Sequence, residues 1–293
     1  MYTQFFGNYL LSRNAVTPDQ LMDAMKEETS AHIKLGTLAI HSGYMTASEV
    51  NDIFIMQTHQ DKRFGELAIE NGFLTESQVK ELLESQSPDY LLLGQILVEK
   101  GYLTHSDFET LLLDYQSENE ICEKAGNTPD QQHITALLQN FLKEDALRNS
   151  KYAVQYLALL FNNLVRFIGS DFTPLDPIPC EEIPVSYCIV QHIDGSIHIT
   201  SGLDLDEKTA IAFASHYVGD TFDQFDEYVR ASVEDFLNLH NGLFNVNMSN
   251  ENSIELQLTP PVLIENDVLK PEGESFLIPI AYSFGILTFI LSF

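Results

Sequence analysis

The charge of this chain of 293 residues restricts what it can bind before any motif is considered. Its 43 acidic and 15 basic residues give a formal net charge of −28, so long-range electrostatics oppose binding to nucleic acid or to an anionic membrane surface. The length and the hydrophobic content of 44% are sufficient for two globular domains, each with its own core.

The cysteines indicate in which cellular compartment the protein is expected. Cys122, Cys180 and Cys188 have no metal-ligand spacing and follow no secretory signal. They predict free thiols in a reducing environment, so we expect a cytoplasmic protein.

The first 117 residues contain a repeat that is visible in three series of residues. The first series has Gly at positions 7, 36, 65 and 94, the second has Asn14, Gly43, Gly72 and Gly101, and the third has Thr at 17, 46, 75 and 104. Each series has a step of 29 residues. Because Gln, Glu or Asp follows each Thr by three residues, the third series favours capped helix starts, and the second favours left-handed helix ends. Residues 1–117 are therefore predicted to form an all-α domain of four helical repeats.

This repeat resembles the MshEN module found at the N-terminus of type II secretion and type IV pilus ATPases, whose tandem motifs bind cyclic di-GMP. The positions that carry the resemblance are Lys34, Leu35, Gly36, Gly43, Gln57, Arg63, Phe64, Gly65, Gly72 and Gln86. The resemblance implies a dinucleotide site. Such a site needs cationic side chains for the phosphates, which Lys34 and Arg63 would supply, apolar residues against the purines, and exposed backbone near glycine. The alternative is that the glycines only cap helices and the basic residues only solubilise the surface.

The rest of the chain predicts a linker and an α+β domain. Residues 118–130 lose the helical period and are rich in charged and helix-breaking residues, which is typical of a linker. Within residues 131–293 we expect an antiparallel sheet packed by long helices. Its predicted elements are helices at 152–168 and 205–219, a hairpin that turns at Asp194 and Gly195, and strands at 253–261, 276–282 and 285–293. The last two apolar runs are interrupted by Pro279 and a Ser-Phe-Gly break, so they favour buried strands over a membrane span.

The stretch 231–242 has two distinct faces if it is helical. Steps of three and four residues place a set of mostly apolar residues on one buried face: Phe225, Val229, Ser232, Phe236, His240 and Leu243. A second stripe beside that face contains Ala231, Asp235, Asn238 and Gly242. The stripe predicts a carboxylate and a carboxamide one turn apart, between two residues with very small side chains. Such a ridge is open to a docking partner; the alternative is an ordinary solvated helix face.

This stretch and its flanking elements resemble the CheC, FliY and CheX group of chemotaxis phosphatases. The resemblance is carried by an acid and an Asn at i and i+3 and a Gly four residues later, here Asp235, Asn238 and Gly242; the acid of the family is Glu. It implies hydrolysis of the phospho-aspartate on a CheY-type response-regulator receiver, with Mg²⁺ held by the receiver. Asn238 would orient the attacking water, Asp235 would pair with a receiver Lys, and Ala231 and Gly242 would permit close approach.

The Asp in place of Glu bears on activity. Asp is one methylene shorter, so its carboxylate falls back by about 1 Å, and a misplacement of that size can lower a rate by about 10²-fold. Two functions therefore stay open. One is a phosphatase in chemotaxis or motility signalling that cyclic di-GMP modulates through the repeats. The other is a non-catalytic adaptor that binds a receiver, cyclic di-GMP or both, and a homodimer is compatible with either.

Three histidines are candidates for metal ligands or for a catalytic base. If Asp194 and Gly195 form a two-residue turn, His192 and His198 lie on opposite faces of the hairpin and cannot share a metal. His240 lies on the apolar side of the 231–242 helix, which favours a core histidine over a base. The sequence therefore predicts no metal site on this chain.

Overall fold

The computed structural model describes residues 2–27, 32–85, 88, 90–118, 138 and 141–293. The chain groups into two compact units, one formed by Phe6–Gly126 and the other by Met1–Phe5 with Asn127–Phe293. Apart from residue 118, the predicted linker lies outside the described residues, and so does Gln86 of the predicted nucleotide site. The predicted domain boundaries stay a prediction.

Short helices in pairs make up the described part of the repeat region. They are α1 (Tyr2–Ser12), α2 (Pro18–Glu27), α3 (Leu35–His41), α4 (Ala47–Gln57), α5 (Phe64–Glu70), α6 (Glu76–Glu84), α7 (Tyr90–Glu99) and α8 (His105–Glu118). Each 29-residue repeat thus contributes two helices, as its capping pattern predicts.

The residues of the second and third series end and start these helices. Asn14, Gly43, Gly72 and Gly101 have φ of 54°, 66°, 76° and 74°, the left-handed conformation at a helix end. The threonines form reciprocal capping bonds: Thr46 N donates to Glu49 Oε2 at 2.7 Å and Glu49 N donates to Thr46 Oγ1 at 3.3 Å. These local predictions are confirmed.

Gly36 and Gly65 of the first series have a packing role. A Cβ added at Gly36 would lie 3.2 Å from the ring of Phe64, and one at Gly65 would lie 3.1 Å from Leu35. The second and third repeats therefore insert into each other reciprocally. Both glycines are explained by close approach of two helices.

The C-terminal unit combines helices with an antiparallel sheet. Its helices are α9 (Asp145–Asn149), α10 (Lys151–Phe167), α11 (Glu207–Val218) and α12 (Glu227–Asn252). Its strands are β1 (Phe172–Pro174), β2 (Ile178–Pro179), β3 (Ile183–Gly195), β4 (Ile199–Leu205), β5 (Leu256–Leu258), β6 (Val262–Leu269), β7 (Ser275–Tyr282) and β8 (Gly285–Ser292). The order in the sheet is β1-β7-β8-β4-β3, with β5 and β6 both pairing with β3 and β2 pairing with β7. The predicted mixture of helices and antiparallel sheet is confirmed for this unit.

Aromatic side chains fill the core between the sheet and the long helices. Phe213 of α11 and Phe236 of α12 cross edge to face with ring centroids 5.2 Å apart, and Phe236 also lies 6.4 Å from Phe289 of β8. The two last apolar runs are the buried strands β7 and β8, which pair from Ser275↔Ser292 to Tyr282↔Gly285. In the described ranges no helix is both long enough and apolar enough to cross a membrane.

The β3–β4 hairpin differs from its prediction. Ile193 pairs with Ile199, so residues 194–198 form the connection instead of a two-residue turn. The imidazoles of His192 and His198 consequently stack with centroids 5.7 Å apart, and the prediction of opposite faces is wrong. The physical reason is that β3 continues through Gly195, because Gly195 pairs with Leu256 of β5 on the other edge. Within the part of the chain that the structure describes, no group of three or more His, Cys, Asp or Glu could hold a metal ion.

Candidate functional site

The predicted ridge lies on α12, a helix of 26 residues with defined ends. Asp226 begins it, because its Oδ1 accepts from Tyr228 N at 3.0 Å and from Val229 N at 3.1 Å. Ser253 ends it in the left-handed region, with φ of 56°. The stretch 231–242 is thus the middle of a long helix, so its side chains follow the helical period.

The buried face of α12 agrees with most of the predicted residues. Its buried residues are Val229, Ser232, Val233, Phe236, Leu237, His240, Asn241, Phe244 and Met248. Leu243 was predicted on this face but is 37% exposed, and that prediction is wrong. At 3.6 residues per turn the buried residue that follows His240 on this face is Phe244, so Leu243 lies at the edge of the face. Phe225 precedes the helix and is partly buried.

The four residues of the predicted stripe share the other side of the helix. Ala231, Asp235 and Asn238 are exposed, and Gly242 is partly exposed. A Cβ added at Gly242 would meet nothing within 4 Å. Packing inside the molecule therefore does not require a glycine here, in contrast to Gly36 and Gly65. We refer to Ala231, Asp235, Asn238 and Gly242 as the ridge.

Tyr217 of α11 holds the carboxylate of the ridge. Its hydroxyl donates to Asp235 Oδ2 at 2.6 Å. Burial of the phenol and its bond to Asp235 raise the pKa of Tyr217 far above the ordinary value, so Tyr217 stays a neutral donor. The ring is fixed in turn by aromatic contacts, with its centroid 5.7 Å from that of Phe236. One carboxylate oxygen of Asp235 is thus engaged at a defined position.

Gln191 of β3 holds the carboxamide of the ridge. Its Nε2 donates to Asn238 Oδ1 at 2.9 Å and to the carbonyl oxygen of Thr259 at 2.8 Å. Its Oε1 accepts from Asn241 Nδ2, also at 2.9 Å. Beyond Asn241 the chain of hydrogen bonds continues to the Tyr156 hydroxyl at 3.0 Å. A buried polar network therefore leads from the core to the exposed Asn238.

Neither Gln191 nor Tyr217 was identified from the sequence. Gln191 interrupts an apolar run, Cys-Ile-Val before it and Ile193 two residues after it, and a polar residue in a buried strand needs a hydrogen-bond partner. That interruption was a usable signal. For Tyr217 the sequence offers only its place near the end of a helix that Gly219 caps.

The charge around the ridge is predominantly negative. Glu234 is exposed beside Asp235, and the nearby Arg230 is engaged by Glu265 of β6 at 3.5 Å. Arg230 also lies over the Phe225 ring, 5.0 Å from its centroid. The ridge therefore favours a cationic group on any partner that docks there. Large apolar side chains are exposed near its two ends, Tyr228 at 65% and Val246 at 54%.

His240 is a core histidine, as predicted. It is completely buried, with Nδ1 3.0 Å from Asn163 Nδ2 and the ring edge-to-face with Tyr156 at 4.5 Å. Burial lowers the pKa of His240 to about 3. It is neutral at physiological pH and has no access to the ridge surface.

The cationic side chains of the predicted nucleotide site differ in their surroundings. Lys34 Nζ is paired with Glu99 at 3.0 Å, and Lys34 lines a cavity of about 240 Å³ with Phe54 and His105. Arg63 forms no ion pair with any described residue.

Seven predicted site residues of these repeats have structural explanations. Leu35 and Phe64 contact Gly65 and Gly36 across the two repeats. Gln57 Nε2 donates to the Lys62 carbonyl at 3.1 Å and so holds the end of α4 to the segment before Arg63. Gly43 and Gly72 end helices, as described above.

No family model and no curated protein matches this chain. Among solved structures, about half of the chain is similar to CheX and CheC-like chemotaxis proteins. CheX of Desulfovibrio desulfuricans matches with 17% identity and a TM-score of 0.42, over 48% of this chain and 98% of that one. CheX of Vibrio vulnificus has 17% identity and a TM-score of 0.43, with coverage of 49% and 99%. A CheX–CheY–BeF3–Mg complex from Borrelia burgdorferi has 17% identity and a TM-score of 0.42, with coverage of 48% and 97%.

Proposed function

We propose that this protein accelerates the loss of phosphate from a phospho-aspartate on a CheY-type receiver domain, within chemotaxis or motility signalling. The observation that carries the proposal is the ridge itself: an exposed carboxylate and an exposed carboxamide, each held from one side and flanked by Ala231 and Gly242. A solvated helix face does not require such support. The motif of Asp235, Asn238 and Gly242 is also the one that resembles the signature of these phosphatases.

In the proposed reaction Asn238 positions the attacking water. The water oxygen forms a bond to phosphorus, the bond from phosphorus to the aspartyl oxygen breaks, and the receiver regains its carboxylate as inorganic phosphate leaves. Asn238 Oδ1 already accepts one bond from Gln191, so a second lone pair and the Nδ2 hydrogens remain for water and for a phosphoryl oxygen. Holding a nucleophile in line is a main contribution of proteins to phosphoryl transfer, worth about 10²-fold or more.

Asp235 supplies the proposed anchor. Its free carboxylate oxygen would pair with a Lys of the receiver, and the negative surroundings of the ridge favour that cation. The Mg²⁺ of the reaction would belong to the receiver. The partner class is the one that the Borrelia burgdorferi complex contains.

The first test measures the decay of a phosphorylated receiver. Candidate receivers from the same genome are phosphorylated with a small phosphodonor, and the decay rate is followed with and without the protein. We expect a substantial acceleration that Asn238→Ala abolishes, because the variant removes the group that positions the water. Asn250→Ala is the matched control, since Asn250 is an exposed Asn on the same helix but outside the ridge. If the phospho-receiver decays at the same rate with wild type, with Asn238→Ala and without protein, the phosphatase proposal is wrong and only the adaptor function remains.

The adaptor function is the second candidate, and one observation favours it. The shorter Asp235 is bound to Tyr217, so its reach toward a partner is restricted. An adaptor binds the receiver through the ridge without changing the decay rate. Titration with a beryllofluoride-activated receiver distinguishes the two: binding with unchanged phosphate loss identifies the adaptor, and binding with faster loss identifies the phosphatase.

We propose cyclic di-GMP binding to the repeats as a separate activity. It is supported by the reciprocal packing of the second and third repeats, which joins α3 and α5 directly after Lys34 and Arg63. The guanidinium of Arg63 has no ion-pair partner in the described ranges, so it is available for a phosphate.

Calorimetric titration of the full chain with cyclic di-GMP tests this proposal. We expect saturable binding that weakens by about 10- to 100-fold in Arg63→Ala, since one charge-assisted phosphate contact is worth about 1.5–3 kcal/mol. Lys80→Ala is the control, because Lys80 is an exposed cation of the same repeat on a helix face. No heat at high nucleotide concentration, or an equal loss in both variants, contradicts the proposal.

A further inference from the structure

Gln191 is a buried carboxamide that contacts an exposed one. It lies in the middle of β3 opposite Ser201 of β4 and is only 1% exposed. Both hydrogens of its Nε2 are used, toward Asn238 Oδ1 and the Thr259 carbonyl. A group desolvated to this degree is stable only when its bonds are made, so its orientation is strictly determined by its neighbours.

The Thr259 carbonyl determines the amide orientation of both Gln191 and Asn238, that is, which atom of each is the nitrogen and which is the oxygen. A backbone carbonyl can only accept, so the atom of Gln191 that it contacts must be the nitrogen. The same nitrogen donates to Asn238, and Asn238 must therefore present its oxygen inward. The other end of Gln191 accepts from Asn241, which agrees with this assignment. The Nδ2 of Asn238 is left for groups outside the molecule.

Hydrogen bonds to the sheet backbone fix the position of the Thr259 carbonyl. Thr259 N donates to the His192 carbonyl at 3.0 Å, and His192 N donates to Thr259 Oγ1 at 3.0 Å. Pro260 and Pro261 follow and restrict the backbone after Thr259. The Thr259 carbonyl is thus locked to the strand that carries Gln191.

We infer that Gln191 is a positioning residue: it sets the rotamer and the amide orientation of Asn238, so that Nδ2 and one lone pair of Oδ1 face a docked partner. This inference rests on the proposed function for its catalytic meaning, but the ordering of Asn238 is a property of the free protein. A preorganised carboxamide aims the water without losing side-chain freedom on docking. Asn238 on an unsupported surface would sample several rotamers.

The ordering can be measured in the unmodified protein. Side-chain amide relaxation by NMR should give Asn238 an order parameter close to that of the backbone, while exposed Asn250 on the same helix remains mobile. Equal mobility of Asn238 and Asn250 overturns the inference. Because no receiver is present, this result is independent of whether the phosphatase proposal succeeds.

Catalytic positioning is tested with Gln191→Met, which keeps the length and removes the donors. We expect the decay rate of the phospho-receiver at saturation to fall by about 10-fold or more, with the half-saturating protein concentration unchanged. An unchanged rate in a folded Gln191→Met variant overturns the inference.

Asn163→Ala separates positioning from a general loss of stability. Asn163 is also buried and bonded to α12 through His240, and no hydrogen bond among the described residues joins it to Gln191, Asn238 or Asn241. It should lower the melting temperature and leave the rate unchanged. If Gln191→Met does not fold, Gln191→Asn keeps the amide but shortens it by one methylene and should show the same rate loss.

Discussion

At the scale of single residues, α12 separates two kinds of polar group. Asp235 and Asn238 are exposed and supported, whereas His240 is enclosed by Tyr156 and Asn163. His240 Nε2 has no hydrogen-bond partner among the described residues. Since the ring cannot be solvated, the folded protein excludes its protonated form, and burial lowers the pKa of His240 to about 3.

This depressed pKa predicts a loss of stability in acid. The unfolded chain protonates His240 near its ordinary value of 6.5, while the folded chain does so only near about 3. Between these values the unfolded state binds more protons, so the free energy of unfolding falls as the pH falls. From about pH 7 to about pH 5.5 the contribution of His240 is about 1 kcal/mol.

Urea denaturation of wild type and of His240→Leu at the two pH values measures this contribution. The loss of free energy of unfolding between the two pH values should be smaller in the variant by about 1 kcal/mol. The comparison uses pH slopes, so a difference in stability at pH 7 does not affect it. Identical slopes would show that the imidazole is accessible to water.

At the scale of elements, α12 retains a glycine that its fold does not need. Gly242 lies inside the helix, and an added Cβ would meet nothing within 4 Å. Because glycine in a helix is less favourable than alanine, Gly242→Ala should raise the free energy of unfolding by about 0.5–1 kcal/mol. If the ridge docks closely against a receiver, the added methyl group should also weaken that binding.

The two effects are measured by urea denaturation and by titration with an activated receiver. Greater stability together with weaker binding supports the proposed close approach. Greater stability with unchanged binding would mean that the glycine has no part in docking. Asn250→Ala again serves as the control for a substitution elsewhere on α12.

Structural features that depend on residues close in the sequence could be predicted from it. Helix ends at Gly43 and Gly72 and the capping bond between Thr46 and Glu49 involve groups within a few positions. The supports of the ridge were not predictable in this way. Gln191 is 47 positions from Asn238, and Tyr217 is 18 positions from Asp235, so only the tertiary fold brings each pair together.

Two errors in the predicted sheet concern the β3–β4 connection and strand β6. The Asp194–Gly195 pair is a strong turn signal, but pairing of Gly195 with β5 keeps it within β3 and lengthens the connection to β4. Strand β6 was not predicted, because most of its residues are exposed and its sequence includes Glu265, Asn266 and Asp267. Alternation of apolar and polar residues identifies strands with one buried face and fails for such a strand.

At the scale of the whole molecule, the charge of −28 sets the conditions for any encounter. A partner with a basic surface is attracted over about 10 Å at an ionic strength near 0.1 M, and salt weakens that attraction. The same charge makes copies of the chain repel one another at long range. Binding experiments with a receiver are therefore most informative when they are compared at the same ionic strength.

Strand β6 has a consequence for how copies of this chain behave when concentrated. It lies at the border of the sheet, and its backbone turns into the left-handed region at Asn266, with φ of 48°. An edge strand that bends at Asn266, between the carboxylates of Glu265 and Asp267, presents no straight row of backbone amide groups to the edge strand of a second molecule. At high protein concentration, β6 of one molecule should therefore not pair with β6 of another to form fibres. The apolar strands next to β6 are thereby protected from aggregation.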